Sequence, residues 1–266
     1  DLIQAALEHD ELAGHEARHL VEVRKLEAAA LLLGAPGAQE RLTHAPRAYV
    51  IRTPSAALAR HARLLDPPPV RDARVAVTAL PDGGWWVDVA WQDHPGLLAA
   101  ITQVLTAAGL SVQDATLATW ADGSVLDAFR VTGHEEPTVE ALRAAIATSL
   151  DGALIAGPVP DAEVELDSAA SPWHTVCEVR ATDRPGLLHA IATCFAAAGV
   201  DVRSAQVSAH DDLVIDRFEV TDADGAKLGE AHADRIRELL RLGVSAKRRR
   251  LGRRLSVKAG AGSPPS

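Results

Sequence analysis

Methionine is absent from the 266 residues, and cysteine occurs only twice. Without a methionine, Asp1 is not a natural start, so the numbering is expected to begin inside a longer chain, with any catalytic domain upstream. Cys177 and Cys194 are far apart and form no C-x-x-C pattern, which fits a reduced, cytoplasmic protein with ordinary buried thiols. No apolar run approaches the roughly 18 residues of a transmembrane helix, and the start has no signal-peptide pattern. An excess of basic charge is also missing. The formal net charge of −9 gives no general reason to expect nucleic acid or an anionic membrane as partner. The 47% hydrophobic and 24% charged residues are ordinary for a folded globular protein. The length suits two small domains plus a helical segment.

An internal repeat organises what is present. "DHPGLLAAITQVLTAAGL" from Asp93 aligns with "DRPGLLHAIATCFAAAGV" from Asp183, and "DAFRVT" from Asp127 aligns with "DRFEVT" from Asp216. Two copies mean a tandem duplication rather than a solenoid. In each, a β-rich run ("WWVDVAWQ" or "HTVCEVRAT") leads into Asp-x-Pro-Gly. Asp favours N-caps and Pro is tolerated in a first turn, so both copies are expected to start a helix there. Leu97, Leu98, Ile101, Val104 and Leu105 then recur at helical spacing, as do Leu187, Leu188, Ile191, Cys194 and Phe195. Two alternating strands and a second helix close each unit. The order β-α-β-β-α predicts an α+β fold, two ferredoxin-like units, each an antiparallel sheet with both helices on one face. A fourth strand is not evident after either second helix. Instead "ARVAVTAL" (73–80) and "AEVELD" (162–167) precede the first strands, and each is expected to form a hairpin that fills the edge a fourth strand would take.

The flanks differ from the repeat. Residues 2–33 read as helix ended by "GAPGA" (34–38), and "PSAALARHARLL" reads as a further helix before the "DPPP" linker. The expected domains are a helical connector (1–69), a first unit (70–160), a second unit (161–246) and a basic tail (247–266). The run "KRRRLGRR" has no interleaved aromatics and reads as a solvated tail rather than a contact for nucleic acid. The five tryptophans lie near strands and read as core or interface anchors, although Trp120 and its counterpart His210 can border a ligand site.

A helix start after Asp-x-Pro-Gly exposes backbone N–H groups that can hold a small carboxylate, and the Asp can pair with an ammonium group. Gly at this position lets a ligand or a neighbouring strand approach the backbone. The same residues also read as a helix cap and a packing glycine with nothing bound. D-x-P-G-L-L between strand and helix, followed by an A-G turn and a D-x-F-x-V-T strand, resembles the ACT domain. Such domains bind amino acids and regulate metabolic enzymes, often across an interface between two of them. The tandem pair, with "APRAYVIRTPSAALARHARLL" upstream, resembles over about residues 45–242 the C-terminal part of the bifunctional uridylyltransferase/uridylyl-removing enzyme.

In that family a nucleotidyltransferase domain, using Mg and UTP, attaches UMP to the nitrogen-signalling protein PII. An HD-type metal phosphohydrolase domain removes it, and glutamine sensed by the ACT pair favours removal. The resemblance implies ligand-binding positions at Asp93, Pro95, Gly96 and Leu97 and at Asp183, Pro185, Gly186 and Leu187. Strands near Val112–Ala115 and Val202–Ala205 would line the interface. It implies glutamine as ligand and PII as partner through the parent enzyme, with neither nucleic acid nor membrane. Neither catalytic pattern occurs here: there is no G-S…D-x-D, and His9-Asp10 lacks the other spaced ligands. No catalytic residue, metal or cofactor is therefore expected in this chain.

Two alternatives stand beside this reading. The ACT pair can serve only dimerisation, without sensing. Alternatively, His15-Glu16-Ala17-Arg18-His19 matches H-E-x-x-H, which on a helix grips zinc in metallopeptidases. Arg18 inside the motif opposes a dication, and no spaced third ligand follows, so charged connector helix is the expected role.

Overall fold

A computed structural model describes residues 2–150, 152–171, 173–210 and 213–247, with side chains described from Glu16 onward except at 208–210 and 246–247. Four helices come first: α1 (Leu2–Leu31), α2 (Pro36–Thr43), α3 (Arg47–Arg52) and α4 (Ser55–Leu64). The "GAPGA" stretch ends α1 as expected, but it also starts α2, because Pro36 sits in the first turn, where its missing N–H costs nothing. Pro46 and Pro54 likewise precede α3 and α4. The Arg24 guanidinium on α1 donates to the carbonyls of Val50, Ile51 and Thr53, which binds the long helix to the end of α3. Among the described residues, no helix is long and apolar enough to cross a membrane.

The first unit contains β1 (Arg74–Ala79), β2 (Trp85–Gln92), α5 (Leu97–Ala107), β3 (Ser111–Thr119), β4 (Ser124–Thr132) and α6 (Val139–Ser149), with β5 (Ala153–Ala156) after it. The second contains β6 (Glu163–Asp167), β7 (Thr175–Thr182), α7 (Leu187–Ala198), β8 (Val200–His210), β9 (Leu213–Asp222), α8 (Glu230–Leu242) and β10 (Val244–Lys247). Eight strands form one antiparallel sheet in the order β1-β2-β4-β3-β8-β9-β7-β6. The α+β fold and the β-α-β-β-α repeat are thus as expected. Both extra strands also take the outer edges: β1 pairs with β2 along its whole length, and β6 with β7.

Fourth strands do exist, contrary to the sequence reading. Each is four residues long, and instead of joining the main sheet they pair with each other, Val244 opposite Ala156 and Lys247 opposite Ala153. Residues 153–159 thereby lie against the second unit. The Val159 N–H donates to Leu240 C=O at 2.6 Å, and His189 Nε2 lies 3.0 Å from Ile155 O.

The two units join edge to edge through β3 and β8, with Asp114 opposite Ser208 and Thr116 opposite Gln206. One hydrophobic core spans both, holding Phe129, Phe195, Phe218, Ile101, Ile191 and Ile236 fully buried. Alternation sends Val87 and Val89 of β2 and Phe129 and Val131 of β4 to this helix-covered side. The opposite face of the first unit is covered too. Ala90, Ala118, Trp120 and Leu126 lie in a second core with Val50 and Leu58 of the connector. Trp120 anchors that contact. Its ring meets Tyr49 edge-on at 5.5 Å, and its N–H donates to Arg41 C=O at 3.0 Å.

Candidate ligand site between the repeat units

The two Asp-x-Pro-Gly turns do not begin their helices at Asp. Gly96 and Gly186 occupy the cap positions with φ of 77° and 78°, the left-handed region that a Cβ disfavours, and α5 and α7 start at the following leucines. The turn closes through Leu97 N–H to His94 C=O (2.9 Å) and Leu187 N–H to Arg184 C=O (3.1 Å). Asp93 is thereby released from capping. It faces the second unit, where Arg203 Nη1 lies 3.4 Å from its Oδ2 and Arg203 Nη2 holds Asp201 at 2.9 Å. Arg203 sits where the register of β8 shifts between Val202 and Ser204, and β3 carries the same irregularity at the equivalent Gln113.

Two small cavities flank the junction, related by the repeat. One lies among Asp93, Gly96, Leu97 and Asp127 of the first unit and Phe195 and Asp201 of the second. The other lies among Asp183, Gly186, Leu187 and Asp216 of the second unit and Thr106 and Ser111 of the first. The structure thus brings six of the eight sequence-derived positions to the cavities. Pro95 and Pro185 do not line them and are exposed. Val112 borders the Asp183 cavity and Val202 the Asp93 cavity. Each encloses about 30 Å³, room for one water-sized group and not for a whole amino acid.

Residues outside the motif complete these cavities. Asp127 and Asp216 occupy inward positions on β4 and β9 and are 4% and 1% exposed. Burial, and after it the charge of Asp93, pushes the Asp127 carboxyl up to about 8. Burial and then Asp201 raise Asp93, against the pull of Arg203. Burial likewise raises Asp201. The helix starts add a complementary pole. The first-turn amides of Leu98 and Ala99, and of Leu188 and His189, come before any intrahelical acceptor and border the cavities. Carboxylates beside a helix start suit a zwitterion. The acidic residues at inward strand positions in "DAFRVT" and "DRFEVT" were the available signal for Asp127 and Asp216. Arg203 falls in the 202–205 stretch expected to line the interface, but its place beside Asp93, and that of Asp201, comes only from the strand junction.

Residues 175–239 match the ACT domain family. The second repeat unit is an ACT domain. The first unit repeats its architecture, so the chain carries a tandem pair. The chain is 35% identical to the bifunctional uridylyltransferase/uridylyl-removing enzyme of Rhodospirillum rubrum over 227 residues, 74% of this chain and 24% of that protein. It is 32% identical to the enzyme of the same name from Gluconobacter oxydans over 208 residues, 68% of this chain and 22% of that protein. The chain resembles these enzymes and spans about a quarter of their length.

The other sequence candidates lie elsewhere. Glu16 and His19 are exposed on α1, and the His15 side chain falls outside the described residues. Among the described residues, no three His, Cys, Asp or Glu side chains gather as a metal site would require. Cys177 and Cys194 are buried, and burial is the main cause that pushes both thiols up to about 12. The basic run from 248 lies outside the described residues.

Proposed function

We propose that this chain is the amino-acid-sensing regulatory part of a cytoplasmic uridylyltransferase/uridylyl-removing enzyme acting on PII, and that its ligand is glutamine. The supporting observation is the pair of junction cavities, each lined by carboxylates and by the first residues of a helix, in a chain similar to those enzymes. An α-amino acid offers the matching ammonium and carboxylate. Because each cavity holds about 30 Å³, the ligand has to part the β3–β8 junction to enter. Two arrangements of the pair follow, one of which binds glutamine better, and this difference in affinity biases the catalytic domains of the parent enzyme.

Calorimetry of glutamine against the 266-residue chain tests the reading. Heat is expected from glutamine and is lost when Gly96 and Gly186 are both changed to Val. Absence of binding up to millimolar glutamine or any other amino acid sinks it, and leaves a pair that serves only dimerisation, which light scattering would register.

A further inference from the structure

The two junction cavities are equivalent in backbone and different in chemistry. At the place of Asp201 the Asp183 cavity has Ser111, and the repeat equivalent of Arg203 is Gln113, which does not line it. Thr102 and Thr106 stand where the Asp93 cavity has Ala192 and Ala196. Three carboxyl groups, Asp93, Asp127 and Asp201, therefore line the Asp93 cavity, and Arg203 pairs with two of them, Asp93 and Asp201. His94 adds a ring beside Asp93, while α5 and α7 present apolar side chains such as Leu97, Leu98 and Phe195. Asp127 stands apart within this group. It is 4% exposed, borders the cavity, and its carboxyl makes no hydrogen bond to any described residue. A buried carboxyl without a donor stays neutral by holding its proton.

We infer that the Asp93 cavity, and not its counterpart, is the ammonium subsite of the interface, and that an arriving primary ammonium takes the place of the proton on Asp127. This rests on the reading that the junction binds an amino acid. The exchange balances: the ammonium keeps its three protons and pairs with the Asp127 carboxylate, and the displaced proton leaves to buffer. The space of about 30 Å³ fits that group. Asp93 and Asp201 attract the cation, while Arg203 offsets part of their charge and leaves Asp127 without a paired cation among the described residues. Raising the pH removes the Asp127 proton in advance. Affinity therefore climbs with pH until about 8, the value to which burial brings this group, and levels above it.

The test is calorimetry of L-glutamine into the unmodified chain at about pH 6.5, in buffers of different ionisation heat. About one proton released per glutamine is expected, with affinity rising by up to about tenfold per pH unit below the plateau. N-acetyl-L-glutamine, which lacks the ammonium, does not bind. Asp127→Asn, a near-isostere of the neutral acid, binds at least about tenfold more weakly, with no proton released and no pH slope. If glutamine binds with the same heat in every buffer, or if Asp127→Asn still releases the proton, the subsite is overturned and amino-acid sensing stands. If no amino acid binds, the sensing proposal itself falls. Because the buffer series uses the unmodified chain, it decides the question even if the variant folds poorly.

Discussion

Asp88 and Asp127 lie on neighbouring strands of one sheet, point to opposite faces, and carry opposite signs in pH dependence. Burial pushes the Asp127 carboxyl up to about 8 from 3.8, so its folded form binds the proton more tightly than its unfolded form. Its contribution to stability is complete below about 4 and is lost as pH rises toward 8. Asp127→Asn should abolish that slope and leave the chain more stable than the parent at pH 8, by an amount on the order of a few kcal/mol. Urea melts from pH 5 to pH 9 would check it, and parallel slopes for the two proteins would refute it. Asp88 is also fully buried, but it faces the connector. Burial alone would raise its carboxyl. The His61 ring, 3.3 Å away, and Arg60, at 2.7 Å, hold it below the ordinary value instead. Tyr49 completes the cluster, its hydroxyl 2.6 Å from His61 Nδ1. His61 Nε2 lies between Asp88 and the Arg60 guanidinium, 3.3 Å from Asp88 Oδ1 and 3.2 Å from Arg60 Nη2. The Asp88 contribution is present above the ordinary carboxylate range and is lost as pH falls through the depressed value. Asp88→Ala leaves His61 and Arg60 facing an empty place and should cost about 3 kcal/mol in urea unfolding at neutral pH. A change within error would mean that the connector is held by its other contacts, the apolar core and the Trp120–Arg41 hydrogen bond among them.

At the scale of elements, the turn before α7 shows how closely the two units approach. A Cβ on Gly186 would lie 3.2 Å from Thr106 Cγ2 on α5, across the junction, and the backbone there has φ of 78°. Gly186→Ala should therefore destabilise the chain by about 1–2 kcal/mol, most of it from the left-handed backbone. Adding Thr106→Ser removes the crowding methyl, so a double-mutant cycle should return a few tenths of a kcal/mol and no more. Full recovery would show that contact, not backbone, sets the cost. The helix that this turn starts was legible in sequence because apolar spacing and Asp-x-Pro-Gly agree. The cap was not, because the turn closes from Leu97 back to His94 and from Leu187 back to Arg184, which puts Gly96 and Gly186, not the aspartates, at the cap in both copies. The edge hairpins were legible for a similar local reason: "ARVAVTAL" and the PDGG turn carry their own pairing signal. Ala153–Ala156 and Val244–Lys247 are too short to show alternation, and each becomes a strand only because the other lies beside it. Trp120 read as either anchor or ligand border. Its burial under α3 and its bond to Arg41 C=O make it an anchor.

For the whole molecule, β2 is one of the strands that serve both faces. Asp88 near its middle is held by α4, and its end runs through Gln92 into Asp93 at the junction cavity. Among the described residues, the apolar core of the connector includes side chains of the first unit and none of the second. Leu126 is fully buried beneath it, while the equivalent Ile215 on the second unit is 44% exposed. A ligand that parts the β3–β8 junction and engages Asp93 therefore acts on the unit that is fastened to the connector. If that fastening carries the signal, glutamine at about 100 times its dissociation constant should slow hydrogen exchange in α3 and α4 along with the junction strands, up to the roughly 2.7 kcal/mol that mass action allows. Asp88→Ala should keep the protection at β3 and β8 and lose it in the helices, because the ligand contacts remain while the link to α4 is gone. Coupling is reciprocal, so the same variant should also change glutamine affinity by the factor that the helices lose in protection. Equal protection of α3 and α4 in both proteins would show that Asp88, His61 and Arg60 hold the connector without transmitting the ligand's state.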